Sequence, residues 1–294
     1  MQLITRDYSE IAGDKSRLES RMLAHLNPQP GQKILDAGCA DGRLTEKIAE
    51  LCPEAVIDGI EIDSALAAQA QAKGLKVEVL PVQDLWMQLE RYSRYDKVFC
   101  NLVLNWLKEG DDFESAILGF SQVLKPGGSL VAVFPLQLNP QIRQEIRDAL
   151  MPYVQQSQEL KAWALLAAPG AEDSKLGRTE IDLLACDALL KEVLPIRHTS
   201  KYELLAALKD SGFVLHEAEM FHQRSPLPQG LEAWLKGFIL PHVFKALELS
   251  EADQTKCTAD IAARLKQPNL GLYLDGQWSI VADMISFTAV RRKV

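Results

Sequence analysis

The chain reads as an α/β protein, a doubly wound and mostly parallel seven-stranded sheet carrying helical lid insertions. Three observations predict this. Between residues 33 and 135, short apolar strands alternate with helical segments over short connections, the pattern of a parallel sheet covered on both faces. The first strand runs through a small-residue loop, Gly38 to Gly42, directly into a helix. The alternation stops at 136, resumes at 201, stops again near 225 and closes with one last strand.

In order along the chain, residues 5–26 place Ile11, Leu18, Met22, Leu23 and Leu26 on one side of a charged helix, which Asn27-Pro28-Gln29-Pro30-Gly31 ends. The first strand is 33–38 and the next helix 42–51, with Leu44, Ile48 and Leu51 at helical spacing. Cys52-Pro53 leads to a second strand, 55–62, and Asp63 or Ser64 caps a helix, 64–72, that stops at Gly74. Residues 75–81 alternate as a third strand, followed by a short helix near 86–91 and a fourth strand, 95–101. A helix at 112–124 ends in the turn Lys125-Pro126-Gly127-Gly128, and 129–135 is the fifth strand.

Residues 136–200 read as helical segments broken at Pro152, Pro169-Gly170 and Gly177, with an apolar run from Trp163 to Ala168. A helix at 201–211 ends at Gly212, 213–222 is the sixth strand, and further helices follow, one opening at the capping pattern Ser250-Glu251-Ala252-Asp253. The last strand is 278–291. The chain thus divides into an N-terminal helix and core, 1–135, a helical insertion, 136–200, continued core, 201–224, a second helical insertion, 225–277, and a final strand, 278–294. Lacking a long core of their own, the insertions read as lids over a site.

Composition excludes several classes. Lys+Arg 32 against Asp+Glu 40 gives a net charge of −8, so the overall basic footprint of a nucleic-acid binder is missing. The five cysteines, Cys39, Cys52, Cys100, Cys186 and Cys257, form no CxxC pair and no metal spacing, and read as reduced thiols of a cytoplasmic protein without a metal. The start MQLITRDYSE has no apolar leader core, and no segment approaches the about 18 apolar residues of a membrane span, so no membrane partner is expected.

A strand that passes through a glycine loop into a helix N-terminus suits the carboxylate or phosphate of a nucleotide-like cofactor. Gly38 and Gly42 let the backbone approach such a ligand. The spacing G-x-A-x-G departs from the dinucleotide pattern G-x-G-x-x-G, and no G-x-x-x-x-G-K-[ST] phosphate loop for ATP occurs.

The run Ile34-Leu35-Asp36-Ala37-Gly38-Cys39-Ala40-Asp41-Gly42 resembles the first motif of class I S-adenosylmethionine-dependent methyltransferases. Glu61 ends the second strand where that family keeps an acid for the ribose hydroxyls. Asp84 follows the third, where an acid or amide meets the adenine amino group. Asn101 ends the fourth, and Lys125-Pro126-Gly127-Gly128 resembles the family's turn before the fifth. The resemblance implies S-adenosyl-L-methionine as cofactor, held by Asp36, Ala37, Gly38, Cys39, Gly42, Glu61, Ile62, Asp84, Leu85 and Asn101. Loop N–H groups would meet the methionine carboxylate, and Asp36 would orient the loop or reach the amine through water. Ala40 stands where the family usually has its middle glycine, and an alanine fits there if its φ is negative. Softer likenesses are Tyr8 to Leu26, Asn101-Leu102-Val103-Leu104-Asn105-Trp106 and Glu232-Ala233-Trp234-Leu235-Lys236-Gly237. They make the chain similar to the trans-aconitate and malonyl-thioester carboxyl methyltransferases, although 136–200 is longer than expected and the last strand lacks their arginines.

That resemblance implies an enzyme that methylates a small molecule, with O-methylation of a carboxylic acid as the leading expectation. An N-, C- or phenol O-methyltransferase, a methyltransferase of a carrier-bound acid, and a non-catalytic homologue are the alternatives. A carboxylate is already ionised at neutral pH and needs no base, consistent with a sequence that shows no catalytic dyad. Candidate substrate contacts are Asn105 and Trp106 after the fourth strand, and the basic residues Arg143, Arg197 and His222, with Arg147, His198 and Arg224 nearby. Trp106 has an equal reading as a core aromatic. Tyr8 and the 15–17 segment are candidates for folding over the cofactor. Monomer and homodimer are both open.

Overall fold

A computed structural model describes residues 16–107, 111–138, 140–167, 176–193, 199–227, 229–238, 240–274 and 276–293. The first helix, α1, is described from Ser16–Leu26, so Tyr8 and the rest of the 5–26 prediction lie outside the described residues. Then come β1 (Lys33–Ala37), α2 (Arg43–Leu51), β2 (Val56–Glu61), α3 (Ser64–Ala72) and β3 (Val77–Val79). Two 3-10 turns, Val82–Met87 and Leu89–Arg91, lead to β4 (Tyr95–Asn101), and a third, Leu104–Trp106, precedes α4 (Asp111–Val123) and β5 (Leu124–Leu138).

The sheet follows the order β3-β2-β1-β4-β5, all parallel. The edge beyond β5 is completed by β8 (Gln277–Arg291) and β6 (Phe213–Pro226). β8 runs antiparallel to both β5 and β6, which makes β6 parallel to β5. A two-residue β7 (Tyr273–Leu274) pairs with the start of β8. Seven strands therefore carry the doubly wound core, as the alternation predicts.

Boundaries moved where tertiary pairing outweighs local pattern. β3 is shorter than predicted. β5 runs longer, because Lys125-Pro126-Gly127-Gly128 forms an irregularity within it: Tyr95 pairs with Leu124, and the next pair is Lys97 with Ser129. β6 extends past His222 because β8 continues to pair with it as far as Pro226. The expected break at Pro152 is absent. That residue lies in the last turn of α5 (Pro140–Val154), so the bond it cannot donate and the clash of its ring with the carbonyl four residues back disturb only the helix's end.

Two cores grip the faces of the sheet. One face packs Leu35, Ile60, Val98, Phe134 and Phe287 under Phe113 and Phe120 of α4 and Leu204 of α8 (Lys201–Asp210). The other packs Ile34, Phe99 and Val131 under Leu18, Met22 and Leu26 of α1 and Leu44 and Ile48 of α2. Buried polar groups near the first core are joined in a network. The Tyr95 hydroxyl donates to Asp58 (2.8 Å) and accepts from Arg91 Nη1 (2.9 Å), and Arg91 also pairs with Glu78. This anchors the 3-10 segment after β3 to the sheet.

The insertions differ from expectation in one respect: together they have a core of their own. Ile142, Ile146 and Leu150 of α5, Leu160 of α6 (Gln158–Ala167) and Leu189 and Leu190 of α7 (Arg178–Val193) come from the first. Leu231, Trp234 and Leu235 of α9 (Gly230–Phe238), Val243 of α10 (Leu240–Leu247) and Ile261 and Leu265 of α11 (Glu251–Leu265) come from the second, and all join one cluster. Pro169-Gly170 lies outside the described residues. Both insertions leave the sheet at the C-terminal ends of β5 and β6, the end at which β1, β2 and β4 also finish. No helix among the described residues is long and apolar enough to cross a membrane.

Candidate functional site

The order β3-β2-β1-β4-β5 reverses between β1 and β4, and in open α/β sheets the crevice at that point, beyond the strand C-termini, is where ligands bind. The loops after β1 and β4 meet there. Gly38 has φ +81°, and a Cβ on it would stand 2.3 Å from Val103 Cγ2. Gly42, also at +81°, would strike Leu75 Cδ1 at 2.3 Å. At both positions conformation and close approach require glycine. Asp41 Oδ1 accepts from Arg43 N (3.2 Å), closing the loop onto the first turn of α2.

The loop's donors are committed differently from the expectation. Gly38 N–H and Cys39 N–H both donate to Ile60 O (2.8 and 3.0 Å), because parallel pairing of β1 with β2 continues into the loop. Ala40 N–H donates to Glu61 Oε2 at 2.9 Å. Glu61 Oε1 takes Asp63 N–H, also at 2.9 Å. Glu61, buried, thus staples the loop after β1 to the loop after β2, and its two oxygens keep further lone pairs for hydroxyls. Ala40 itself lies at φ +50°, not at negative φ, a left-handed conformation that an L-residue adopts at a cost. Leu102, directly after β4, is likewise left-handed (φ +59°), its N–H held by Val133 O at 2.8 Å.

Asp36, 2% exposed, accepts a hydrogen bond from Thr45 Oγ1 of α2 at 2.7 Å. Burial pushes its carboxyl up to about 7; the Thr45 bond opposes the rise and the neighbouring Glu61 charge adds to it. Burial, and next the Asp36 charge, also push the thiols of Cys39 and Cys100 well above their usual range. α1 reaches this region through Glu19, 4% exposed, which pairs bidentately with Arg43 (2.8 Å for Nη1) and with Lys47 (3.2 Å).

On the other side of the crevice, Asp84 is half-buried and Leu85 fully buried in the turn after β3, and Ile62 stands 57% exposed beside Glu61 as an open apolar face. Asn101 ends β4 with a buried Oδ1 that has no hydrogen-bond partner. An orphaned acceptor, a glycine cradle that no Cβ can enter, acids at the ends of β1 and β2 and an exposed aliphatic face form an acceptor set and an apolar wall that could hold the ammonium, ribose and adenine groups of S-adenosylmethionine. Glu61 suits the ribose hydroxyls, Asn101 and Asp36 the amine, and Ile62, Asp84 and Leu85 the adenine end.

The remaining candidates disperse. Asn105 is 6% exposed. With its amide oriented to satisfy both ends, the nitrogen donates to Leu102 O (3.1 Å) and the oxygen accepts from Trp106 Nε1 (3.3 Å), so it braces the turn after β4. Trp106 is half-exposed at that turn. Arg143 and Arg147 face Asp187 of α7 at 4.0 and 3.5 Å, inside the helical unit. His222 holds Asp283 at 2.6 Å on β6, with β8 and β5 between it and β4, a lateral offset of roughly 14 Å. Arg197 and His198 lie outside the described residues. Sequence reasoning missed Thr45 and Val103, which carry no motif; Thr45 was detectable only as a hydroxyl on the first turn of a helix that points back at the strand. Among the described residues no cluster of His, Cys, Asp and Glu forms a metal site.

Residues 35–130 match the methyltransferase domain family. A trans-aconitate 2-methyltransferase of Delftia acidovorans is 28% identical over 180 residues, covering 60% of this chain and 64% of that protein. A malonyl-[acyl-carrier protein] O-methyltransferase of Hahella chejuensis is 28% identical over 125 residues, 42% of this chain and 44% of its own length. The chain thus spans about half to two thirds of these relatives. Among solved structures, the YcgJ protein of Bacillus subtilis superposes with a TM-score of 0.57 at 12% identity, over 95% of this chain and 99% of that one, which speaks for the fold. The sheet order and these likenesses give the chain the fold of class I S-adenosylmethionine-dependent methyltransferases, and the matched third of the chain, residues 35–130, includes the crevice between β1 and β4. Its matched part is similar in sequence to the trans-aconitate and malonyl-[acyl-carrier protein] methyltransferases.

Proposed function

We propose that this protein transfers the methyl group of S-adenosylmethionine to a small molecule, and that the acceptor is a carboxylate oxygen. The observation that carries the reading is the succession of Asp36, Glu61 and Asn101 at the C-terminal ends of β1, β2 and β4, with Asp84 in the turn after β3, on the same edge of the sheet as the glycine cradle. When bound, the cofactor supplies an electrophilic methyl on a sulfonium. The chain's residues then have to hold it, align the acceptor and keep water out. An acid acceptor is ionised at neutral pH and attacks in line without a base. The names of the two curated relatives, both methyltransferases of acids, support this choice. The helical unit built from residues 136–200 and 225–277 serves as the lid, since both of its segments leave the sheet at the ligand end.

A second acceptor class, an amine, phenol or carbon, gains support from the fate of the basic candidates: Arg143 and Arg147 face Asp187, and His222 holds Asp283. The test is calorimetric titration with S-adenosylhomocysteine, then incubation with methyl-labelled donor and pooled small acids, amines and phenols. Binding together with a product that mild base hydrolyses supports ester formation. A base-stable product moves the acceptor to the second class, and no binding at millimolar ligand refutes the cofactor reading.

A further inference from the structure

Asp36, the next-to-last residue of β1, is a buried carboxyl that receives none of the first three N–H groups of the loop that follows. The N–H groups of Gly38 and Cys39 go to Ile60 O, and that of Ala40 goes to Glu61. Its hydrogen bond comes from the neutral hydroxyl of Thr45, itself 2% exposed. The titratable groups facing it are Glu61 from β2, Cys39 from the loop and Cys100 from β4, with Asp41 beyond Cys39. Both thiols are held neutral, so the charge in this cluster is negative. A buried carboxylate beside another carboxylate, with no cation paired to it among the described residues, is electrostatically incomplete.

We propose that Asp36 is the proton-linked counter-ion of the cleft: it carries a proton while the cleft is empty and releases it to solvent when a cationic ligand enters. The inference rests on the reading of the cleft as the site of a cofactor that bears an ammonium group. The balance is simple. The ligand brings one positive charge to the cluster, the Asp36 O–H bond breaks, and the proton leaves to buffer, so the cluster's net charge is unchanged. A position of the carboxyl titration close to neutrality makes this exchange visible at ordinary pH.

Titration calorimetry with S-adenosylhomocysteine, in two buffers of different ionisation enthalpy, counts the proton. Near pH 7 about half a proton is released per ligand bound, and affinity weakens about tenfold from roughly pH 8 to roughly pH 6. Asp36→Asn abolishes both effects. Thr45→Val is close in shape and removes the bond that favours the charged carboxyl. It therefore moves the titration to higher pH and raises the proton count near pH 7, opposite to what loosening and hydration of the site would do. Equal proton counts in the parent and in Asp36→Asn, or a flat affinity between those pH values, overturn the proposal. If the parent binds no ligand the cofactor reading fails. The proton is then judged by the infrared carboxyl band of the ligand-free protein: a protonated-acid band that disappears between roughly pH 6 and 8, absent in Asp36→Asn, sustains it, and no such band overturns it.

Discussion

Replacing Ala40 by glycine should stabilise the protein. At φ +50° the alanine Cβ crowds the following carbonyl, at a cost of roughly 1–2 kcal/mol that glycine does not incur. Glycine gives back part of this, about 0.5–1 kcal/mol, because its unfolded chain has more freedom to lose. The net expectation is a gain of about 0.5–1 kcal/mol. The hydrogen bond from residue 40 N–H to Glu61 survives, since it needs only the backbone. Ala40→Val sharpens the comparison: a β-branched side chain tolerates left-handed φ worse still, so stability should rank glycine above alanine above valine. Urea unfolding of the three proteins measures this as shifts in midpoint at constant slope. A glycine variant less stable than the parent by more than about 0.5 kcal/mol would refute the reasoning, for it would mean that the methyl packs favourably or that the residue is not left-handed.

Other perturbations test the same cleft. Gly38→Ala combines left-handed strain with a Cβ 2.3 Å from Val103 Cγ2 and should cost about 3 kcal/mol; adding Val103→Ala should recover the steric part and leave the strain, as a double-mutant cycle in urea would show. Asp36 has its carboxyl raised from 3.8 to about 7, so the folded state binds the extra proton between those values and the contribution of Asp36 to stability falls as pH rises from about 4 to 7. Asp36→Asn should remove that slope and unfold later than the parent near pH 8, by an amount on the order of 2–4 kcal/mol in denaturant titrations. At Glu19 burial pushes the carboxyl up, but Arg43 and Lys47 more than offset it and hold it below 4.5. Its stabilisation is therefore present above that value and lost as pH falls through the lowered one. Glu19→Gln should cost about 1–2 kcal/mol at neutral pH, modest because both partners are 43% exposed, and the difference should vanish in acid.

The sheet was legible because its information is local. Apolar runs, Gly74, Gly212 and the residues at each strand end sit within a few positions of the elements they specify, and Glu61 and Asn101 needed only a strand count to be placed. The state of the loop was not legible. Whether the N–H groups of Gly38 and Cys39 are free depends on a carbonyl more than twenty residues away, and nothing near Gly38 records that Ile60 O takes both. The sign of φ at Ala40 was left open by the sequence, because it is imposed by the carboxylate of Glu61 that holds its N–H, a residue of another strand. In the insertions each helix displays a partial apolar face, and no local pattern reveals that Ile142 and Ile261 share one core. The same limit applies to Arg143 and Arg147: a lone arginine does not name its partner, and Asp187 lies on another helix of the same insertion.

Four departures from local rules gather in one place. An alanine at a left-handed position, a leucine at another, a carboxyl buried against a hydroxyl and an acceptor with no donor, Asn101 Oδ1, all lie in or beside two loops, those after β1 and β4. Each loop is over-determined by contacts that bypass the strained residue's own preference. Glu61 holds Ala40 N–H, Val133 O holds Leu102 N–H, Asn105 braces Leu102 O, and Gly38 receives Val103. Such strain persists only where the surroundings impose it, and it marks the place where structure is spent on something besides stability. Beneath them β1 pairs in unbroken register with both β2 and β4. The cleft is therefore marked by a cluster of departures rather than by any single one, and that cluster falls at the one point where neighbouring parallel strands lead their chains in opposite directions.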